Sequence, residues 1–399
     1  MRFMGRYDFD TIIDRHNTGA MKWDEMPKNR GDLIPMSIAD MDFRLPPEVL
    51  DALRAKIDHG IFGYAAVTEP DMDAIQSWME RRHGQKVPRE WLLPCPGVVY
   101  TMRAAQFVMS KPGDKIVVQP PVHTPFFTTA SVFGREQISV PLLCDESGRY
   151  TMDYEGLERA FRDGAKLMLI CSPQNPMGRV WSRAELERLS ELCIRYDVRV
   201  IADEIHRDIL MPGTTFTPFS EIPGMSERVV ECFSPSKTFN MGGFHISTAV
   251  IADPVVREGV KNRLHDVGHS CERPTLMSIA AQTAAYTYGE DWVDELCTYL
   301  AGNFDLAVKT LADTPLKCFK PEGTYMLWTD CSALYMDTDT LMNFMIDRAH
   351  IFPELGSTYD SIDYASYKGL QTHMRLNVGM PRAYVKKAME DLRNAVLAL

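Results

Sequence analysis

KLMLICSPQNPMGRVWSRAELERLSELCIRYDVRVIADEIH, residues 166–206, alternates between two kinds of pattern. KLMLICSP (166–173) and VRVIADE (198–204) are short, continuously apolar runs, as expected of strands covered on both faces. Between them Ser182 precedes Glu185 by three residues, which makes a capping box. Leu186, Leu189, Leu192, Cys193 and Tyr196 then recur at three- and four-residue steps, so a helix with one apolar face is predicted over Ser182–Tyr196. Strands and helices alternating in this way suit a parallel sheet with helices on its faces, an α/β layered domain.

The alternation extends outward from this stretch. KIVVQP (115–120) and ISTAVIAD (246–253) are further strand-like runs, and Pro46–His83 reads as helical with a loop at FGYAAVTEPD (62–71). After about residue 285 the texture changes. TYMLWTDCS (324–332) and MRLNVGM (374–380) look like strands, and Arg382–Leu399 like a closing helix with Val385, Ala388, Met389 and Leu392 on one side. The expected division is an N-terminal segment 1–50, a large domain 51–284 and a C-terminal part 285–399, the two outer parts forming a smaller lobe.

With 399 residues, 45% hydrophobic and 24% charged, the chain has the composition of a globular enzyme. A net charge of −11 opposes nucleic-acid and anionic-membrane partners, so neither is expected, and an anionic cofactor would need a local basic pocket. The nine cysteines are odd in number, scattered and without a C-x-x-C pair. That pattern reads as reduced thiols and not as disulfides or a zinc site, and no metal is expected. MRFMGRYDFDTIID (1–14) lacks an apolar signal core, and no apolar run approaches the roughly 18 residues of a membrane helix. A cytoplasmic location is the expectation. HExxH and GxSxG motifs are absent.

Four short segments carry chemistry. SPSKTFNMGG (234–243) follows the apolar run VVECF and sets Ser234 and Ser236 beside Lys237. Serine hydroxyls donate well to phosphate, and a lysine in a cleft can form an imine with an aldehyde cofactor. Read alone, Lys237 is equally an exposed loop lysine. ADEIH (202–206) places Asp203 at a strand's carboxyl end, the ligand-binding edge of parallel sheets, where a carboxylate can pair with a protonated pyridine nitrogen. Alone, it is a strand-end carboxylate or a helix cap. SPQNPMGRV (172–180) holds Asn175 between prolines, either as a fixed amide donor or as an ordinary Asn-Pro turn. PCPGVVYTMRAA (94–105) opens a helix at Gly97, whose first N–H groups, those of Val98 and Val99, make a natural phosphate site.

In this order and at these distances, the four segments resemble the class I/II aminotransferase superfamily of fold-type I pyridoxal 5′-phosphate (PLP) enzymes. The resemblance runs from DFDTIIDRHNTGAMKWD (8–24) to the last helix, and RLNVGMPR (375–382) matches the segment that carries a substrate-gripping arginine. It implies a large PLP-binding domain with a central, mostly parallel sheet covered by helices, plus a smaller α/β lobe drawn from both termini. It further implies that Lys237 binds PLP covalently, Asp203 its ring nitrogen and Asn175 its ring oxygen. Ser234, Ser236 and the Val98 and Val99 backbone would hold the phosphate. Arg375 would grip the substrate carboxylate with a planar fork suited to that group, with Asn175 beside it. Tyr64 matches a tyrosine that reaches the neighbouring subunit's cofactor, implying a homodimer with shared sites and a catalytic and substrate-binding part for Tyr64.

IADMDF (38–43), IFGYAAVT (61–68), QPPVHTPFF (119–127) and DEIHRDIL (203–210) are similar to the cystathionine β-lyase, or C–S β-lyase, branch. His206 stands where typical aminotransferases have a tyrosine near the ring oxygen. Three positions depart from the pattern. His123 replaces a tyrosine that stacks on the cofactor, Ser37 replaces a tryptophan, and His245 replaces a phosphate-clamping arginine. The implied reaction is α,β-elimination from cystathionine or S-substituted cysteines to pyruvate, ammonia and a thiol, with Lys237 taking the Cα proton. The alternatives are an aminotransferase and a regulatory or binding protein on the same fold.

Overall fold

The computed structural model describes residues 5–27, 33–268, 273–360 and 369–399. Its larger sheet has seven strands: β1 (Leu92–Cys95), β2 (Lys115–Val118), β3 (Glu136–Ser139), β4 (Leu167–Cys171), β5 (Arg199–Asp203), β6 (Val229–Phe233) and β7 (Ser247–Ile251). They lie in the order β1-β7-β6-β5-β4-β2-β3, and only β7 runs against its neighbours. The sheet is therefore mostly parallel. Side chains alternate between its two faces. Met168 and Ile170 enter a core with Leu157, Phe161, Leu186 and Leu189, whereas Leu167, Leu169 and Cys171 enter one with Met102, Ala105, Val256 and Val260. Apolar faces of the helices Tyr154–Arg162 and Arg183–Arg195 thus cover one side, and those of Val98–Met109 and Pro254–Gly268 the other.

The helix expected over Ser182–Tyr196 runs Arg183–Arg195, with Ser182 as N-cap and the Ser182–Glu185 capping box formed. ISTAVIAD turns out antiparallel because the connection from β6 has no helix long enough to carry the chain back across the sheet. Residues 234–246 consequently stay at the carboxyl edge.

A four-stranded antiparallel sheet lies in the C-terminal part: β8 (Lys317–Phe319), β9 (Met326–Asp330), β10 (Glu354–Leu355) and β11 (His373–Asn377), in the order β8-β9-β11-β10. The closing helix is Arg382–Leu397 and buries Val385, Ala388, Met389 and Leu392. Both ends of the chain share this core. Ile34–Pro35 pairs in parallel with Ile351–Phe352, and Phe9, Met36 and Met41 pack with Leu327, Leu376 and Met389. The helices Pro47–His59 and Glu69–His83 contribute Val49, Leu53, Ile75 and Trp78 to the same cluster.

Among the described residues the cysteines are free thiols, and only Cys144 is exposed; Cys271 lies outside them. No described helix is long and apolar enough to cross a membrane, and no cluster of metal-ligating side chains occurs among the described residues.

Candidate active site

The carboxyl ends of β4, β5 and β6 lie level, with Cys171 opposite Asp203 and Asp203 opposite Cys232. Each strand end releases one loop, so residues 172–180, 204–209 and 234–246 leave the sheet side by side. Backbone bonds fix their starts: Ser172 N–H donates to Asp203 O at 3.0 Å, and Glu204 N–H to Cys232 O at 2.8 Å.

Asp203 is buried, and its Oδ1 accepts from the Ile205 N–H at 3.0 Å. Burial raises its carboxyl to about 6, against the lowering effects of that N–H and of the Lys237 charge. Lys237 sits in the short helix Pro235–Thr238 and is half-buried. Burial, and then the Arg375 guanidinium, lower its amine to about 8. Lys237 Nζ donates to Ala39 O at 2.6 Å, and the same oxygen accepts from Tyr325 OH at 3.0 Å.

Arg375, on β11, brings the C-terminal sheet to this edge. It is buried, one Nη donates to Asn175 Oδ1 at 3.1 Å and the other to Ser37 O, and Nε has no protein partner. Its guanidinium lies 5.3 Å from the centre of the Tyr359 ring. Gly178 anchors the Asn175 loop at its far end. With φ +71° it adopts a conformation that favours glycine, and a Cβ there would stand 2.2 Å from Pro321 Cβ. Its carbonyl accepts from Glu322 and Gly323 at 2.9 Å, which ties the loop to the segment leading into β9.

Two histidines complete the cluster. His206 is buried against Tyr325, 5.7 Å between ring centres, and its Nδ1 has no hydrogen-bond partner. Burial first, then the charges of Lys237, His123 and Arg375, hold it well below the usual histidine range. His123 is pushed down to about 3 by burial, Arg375 and Lys237, and its backbone N–H donates to Asn175 O at 3.2 Å. Both imidazoles are thus neutral near pH 7, while Lys237 and Arg375 supply positive charge.

The phosphate candidates lie farther along the same edge. Ser234 caps the Lys237 helix: its Oγ donates to Ile246 O at 2.5 Å and accepts from Ser236 N–H at 3.0 Å. The Ser236 side chain is half-buried. Ser247, next to Ile246, pairs with Cys95 just before Gly97, and its Oγ is 3.4 Å from Thr101 Oγ1. Gly97 is the N-cap of the helix Val98–Met109, so the Val98 and Val99 N–H groups have no partner within the helix. His245 is exposed. Tyr64 is not gathered with these groups in the single chain. It is 95% exposed and borders a surface cleft with Phe62, Arg273 and Met277.

A family model for aminotransferase class I and II matches residues 31–392. The chain belongs to that family. Among the family's relatives, Cystathionine beta-lyase PatB of Bacillus subtilis is 36% identical over 395 residues, covering 98% of this chain and all of that protein. Protein MalY of Escherichia coli is 30% identical, again over 98% of this chain and 100% of its own length. Cystalysin of Treponema denticola, whose crystal structure contains a pyridoxal 5′-phosphate cofactor, superposes with a TM-score of 0.92 at 30% identity, covering 98% of this chain and 99% of its own.

For a class I and II aminotransferase fold, the donor set suits the family's cofactor. A depressed lysine amine, a buried carboxylate, an unpartnered imidazole nitrogen and an open helix N-terminus share one edge. Sequence reasoning missed Ala39 as an acceptor, because a backbone carbonyl leaves no signature. It also missed Tyr325, Tyr359 and Asn240, whose types are common in any core or loop. Asn240, three residues after Lys237, bonds Met41 N and O and Phe43 O at 2.9, 2.7 and 3.1 Å.

Proposed function

We propose that this protein is a PLP-dependent carbon–sulfur β-lyase that cleaves cystathionine or S-substituted cysteines to pyruvate, ammonia and a thiol. The observation that carries this reading is full-length similarity to a protein named cystathionine beta-lyase, with Lys237, Asp203, Asn175 and Arg375 drawn together at one sheet edge.

PLP supplies an aldehyde for the amino acid's amine and a ring that takes up electrons from Cα. Arg375 grips the substrate carboxylate, exchanging its bond to Ser37 O for a bidentate pair while Asn175 steadies its other nitrogen. With PLP bound, Asp203 would pair with its ring nitrogen and Asn175 with its ring oxygen. Ser236 and the Val98 and Val99 N–H groups would hold its phosphate, with Ser234 fixing the turn that presents Ser236. Lys237, whose amine burial and Arg375 lower to about 8, reaches the neutral form more readily than an ordinary lysine and accepts the Cα proton. The Cβ–S bond then breaks, the electron pair leaves on sulfur, and hydrolysis of the remaining three-carbon fragment gives pyruvate and ammonia. His123 and His206, both neutral, line the space without adding charge.

Two copies complete the site. Tyr64 projects from a loop with the exposed side chains Ile61 and Phe62, a surface suited to burial against a second copy and to delivering its hydroxyl there. Residues 51–284 form the cofactor-binding domain, with 1–50 and 285–399 as the smaller lobe, and the enzyme works in the cytoplasm.

The test is L-cystathionine supplied without any 2-oxo acid. Pyruvate and free thiol appearing together support the lyase. Strict dependence on a 2-oxo acid would replace it with an aminotransferase.

A further inference from the structure

A second buried polar cluster adjoins the short helix that carries Lys237. Asp208 closes the loop that Asp203 opens, and its side chain is 2% exposed. One carboxylate oxygen, Oδ1, meets His83 Nε2 at 2.8 Å and accepts from Trp78 Nε1 at 3.2 Å. The other, Oδ2, accepts from Thr238 Oγ1 at 2.8 Å. Burial would raise this carboxyl, but the bonds from His83 and Thr238 and the charge of Arg207 bring it to about 2, so it stays ionised. Thr238 is wholly buried and is the residue after Lys237 in the helix Pro235–Thr238.

That helix is four residues long, too short to hold its own orientation. Its N-terminal end is held by Ser234 through Ile246. At its C-terminal end, Thr238 to Asp208 is the one side-chain bond reaching from the helix back into the loop of residues 203–208. We propose that Asp208 and Thr238 are positioning residues that set the direction of the Lys237 side chain. Through them, the one loop from Asp203 to Asp208 fixes both Asp203 and the turn that presents the lysine. Neither residue touches substrate or cofactor; each acts through Lys237. This inference rests on the proposed role of Lys237 and extends it.

The test compares full-length Thr238→Val, which keeps the shape but loses the hydroxyl, with Thr238→Ser, which keeps the hydroxyl. Two rates are read: deuterium exchange at Cα of L-alanine, which has no β leaving group, and recovery of the visible cofactor band when PLP is returned to stripped protein. Thr238→Val is expected to slow both by about 10-fold with KM for L-alanine little changed, as a small misplacement of a catalytic group does. Thr238→Ser is expected to restore both. Equal rates in wild type and Thr238→Val, or equal losses in the two variants, would overturn the inference, since the hydroxyl would then not matter. If Thr238→Val does not fold, the smaller Thr238→Ala takes its place in the same comparison. Absence of exchange and of a visible band in the wild type would instead defeat the proposed function itself.

Discussion

Lys237 and Ala39, 198 residues apart, meet in a 2.6 Å hydrogen bond from the lysine amine to the backbone carbonyl. The N-terminal segment thereby becomes part of the site. Ser37 O holds Arg375, Ala39 O holds Lys237, and Asn377 binds Ile38 O and Asp40 O at 2.6 and 2.7 Å from the neighbouring strand.

The depressed amine of Lys237 sets a pH dependence for cofactor capture. Only the neutral amine attacks an aldehyde, and burial together with Arg375 moves its midpoint from the ordinary lysine range to about 8. Capture by stripped protein, followed as growth of the visible band, is expected to accelerate as pH rises and to level off above that midpoint. Arg375→Gln removes a repelling cation, favours the ammonium and should move the midpoint upward. A midpoint unchanged by this substitution would show that the two charges do not communicate.

Arg375→Lys keeps the charge but loses the planar fork that spans Asn175, Ser37 and a carboxylate. A fall in kcat/KM of about 10- to 100-fold is expected, the worth of one charged hydrogen bond. Steady-state kinetics with amino acids and with the corresponding amines lacking the carboxylate should show it, the amines being nearly indifferent to the change.

Asp42 anchors the N-terminal segment from beneath. Its carboxylate binds Lys22 at 2.7 Å, Arg15 at 2.6 Å and Trp23 Nε1 at 2.9 Å, with the Lys22 and Asp42 side chains only 0% and 2% exposed. Asp42→Ala leaves the lysine buried without its counter-charge and should destabilise the fold by about 3–5 kcal/mol. Thermal unfolding would register this as a lower Tm, and Ala39 and Ser37 would lose their fixed positions along with it.

If two copies share their active sites, as the proposed function has it, two damaged chains should complement each other. Lys237→Ala and Tyr64→Ala homodimers should each be impaired. After refolding together, a heterodimer would hold one site with both residues intact, giving roughly a quarter of wild-type activity for random pairing. No recovery would place Tyr64 in its own subunit's chemistry or outside the chemistry altogether.

The layered fold was legible because periodicity reports burial directly. The continuous apolar runs at 167–171 and 199–203 became doubly covered strands, and the capping box at Ser182 began its helix as written. The direction of β7 was not legible, since an apolar strand reads the same either way and only the short Lys237 connection decides it. Lys237, Asp203, Asn175 and Arg375 were singled out by the order of four motifs and the family resemblance, not by any one motif alone; the fold brings them to one sheet edge, and their roles are what the proposed function assigns. Asp208 and Thr238 stood in plain view inside two quoted motifs, yet their bond joins residues 30 apart and appears only once both loops leave adjacent strands. Tyr64 could be named from its motif alone, but no single chain can show what its exposed ring meets.

Borohydride reduction of the holoenzyme, followed by peptide mass mapping, tests the central role of Lys237 most directly, because reduction makes the cofactor–lysine bond permanent. The cofactor mass is expected on the peptide carrying SPSKTFN and on no other, with Lys237→Ala showing neither that mass nor a visible band. Labelling of a different lysine, or a visible band that persists in Lys237→Ala, would contradict the assignment.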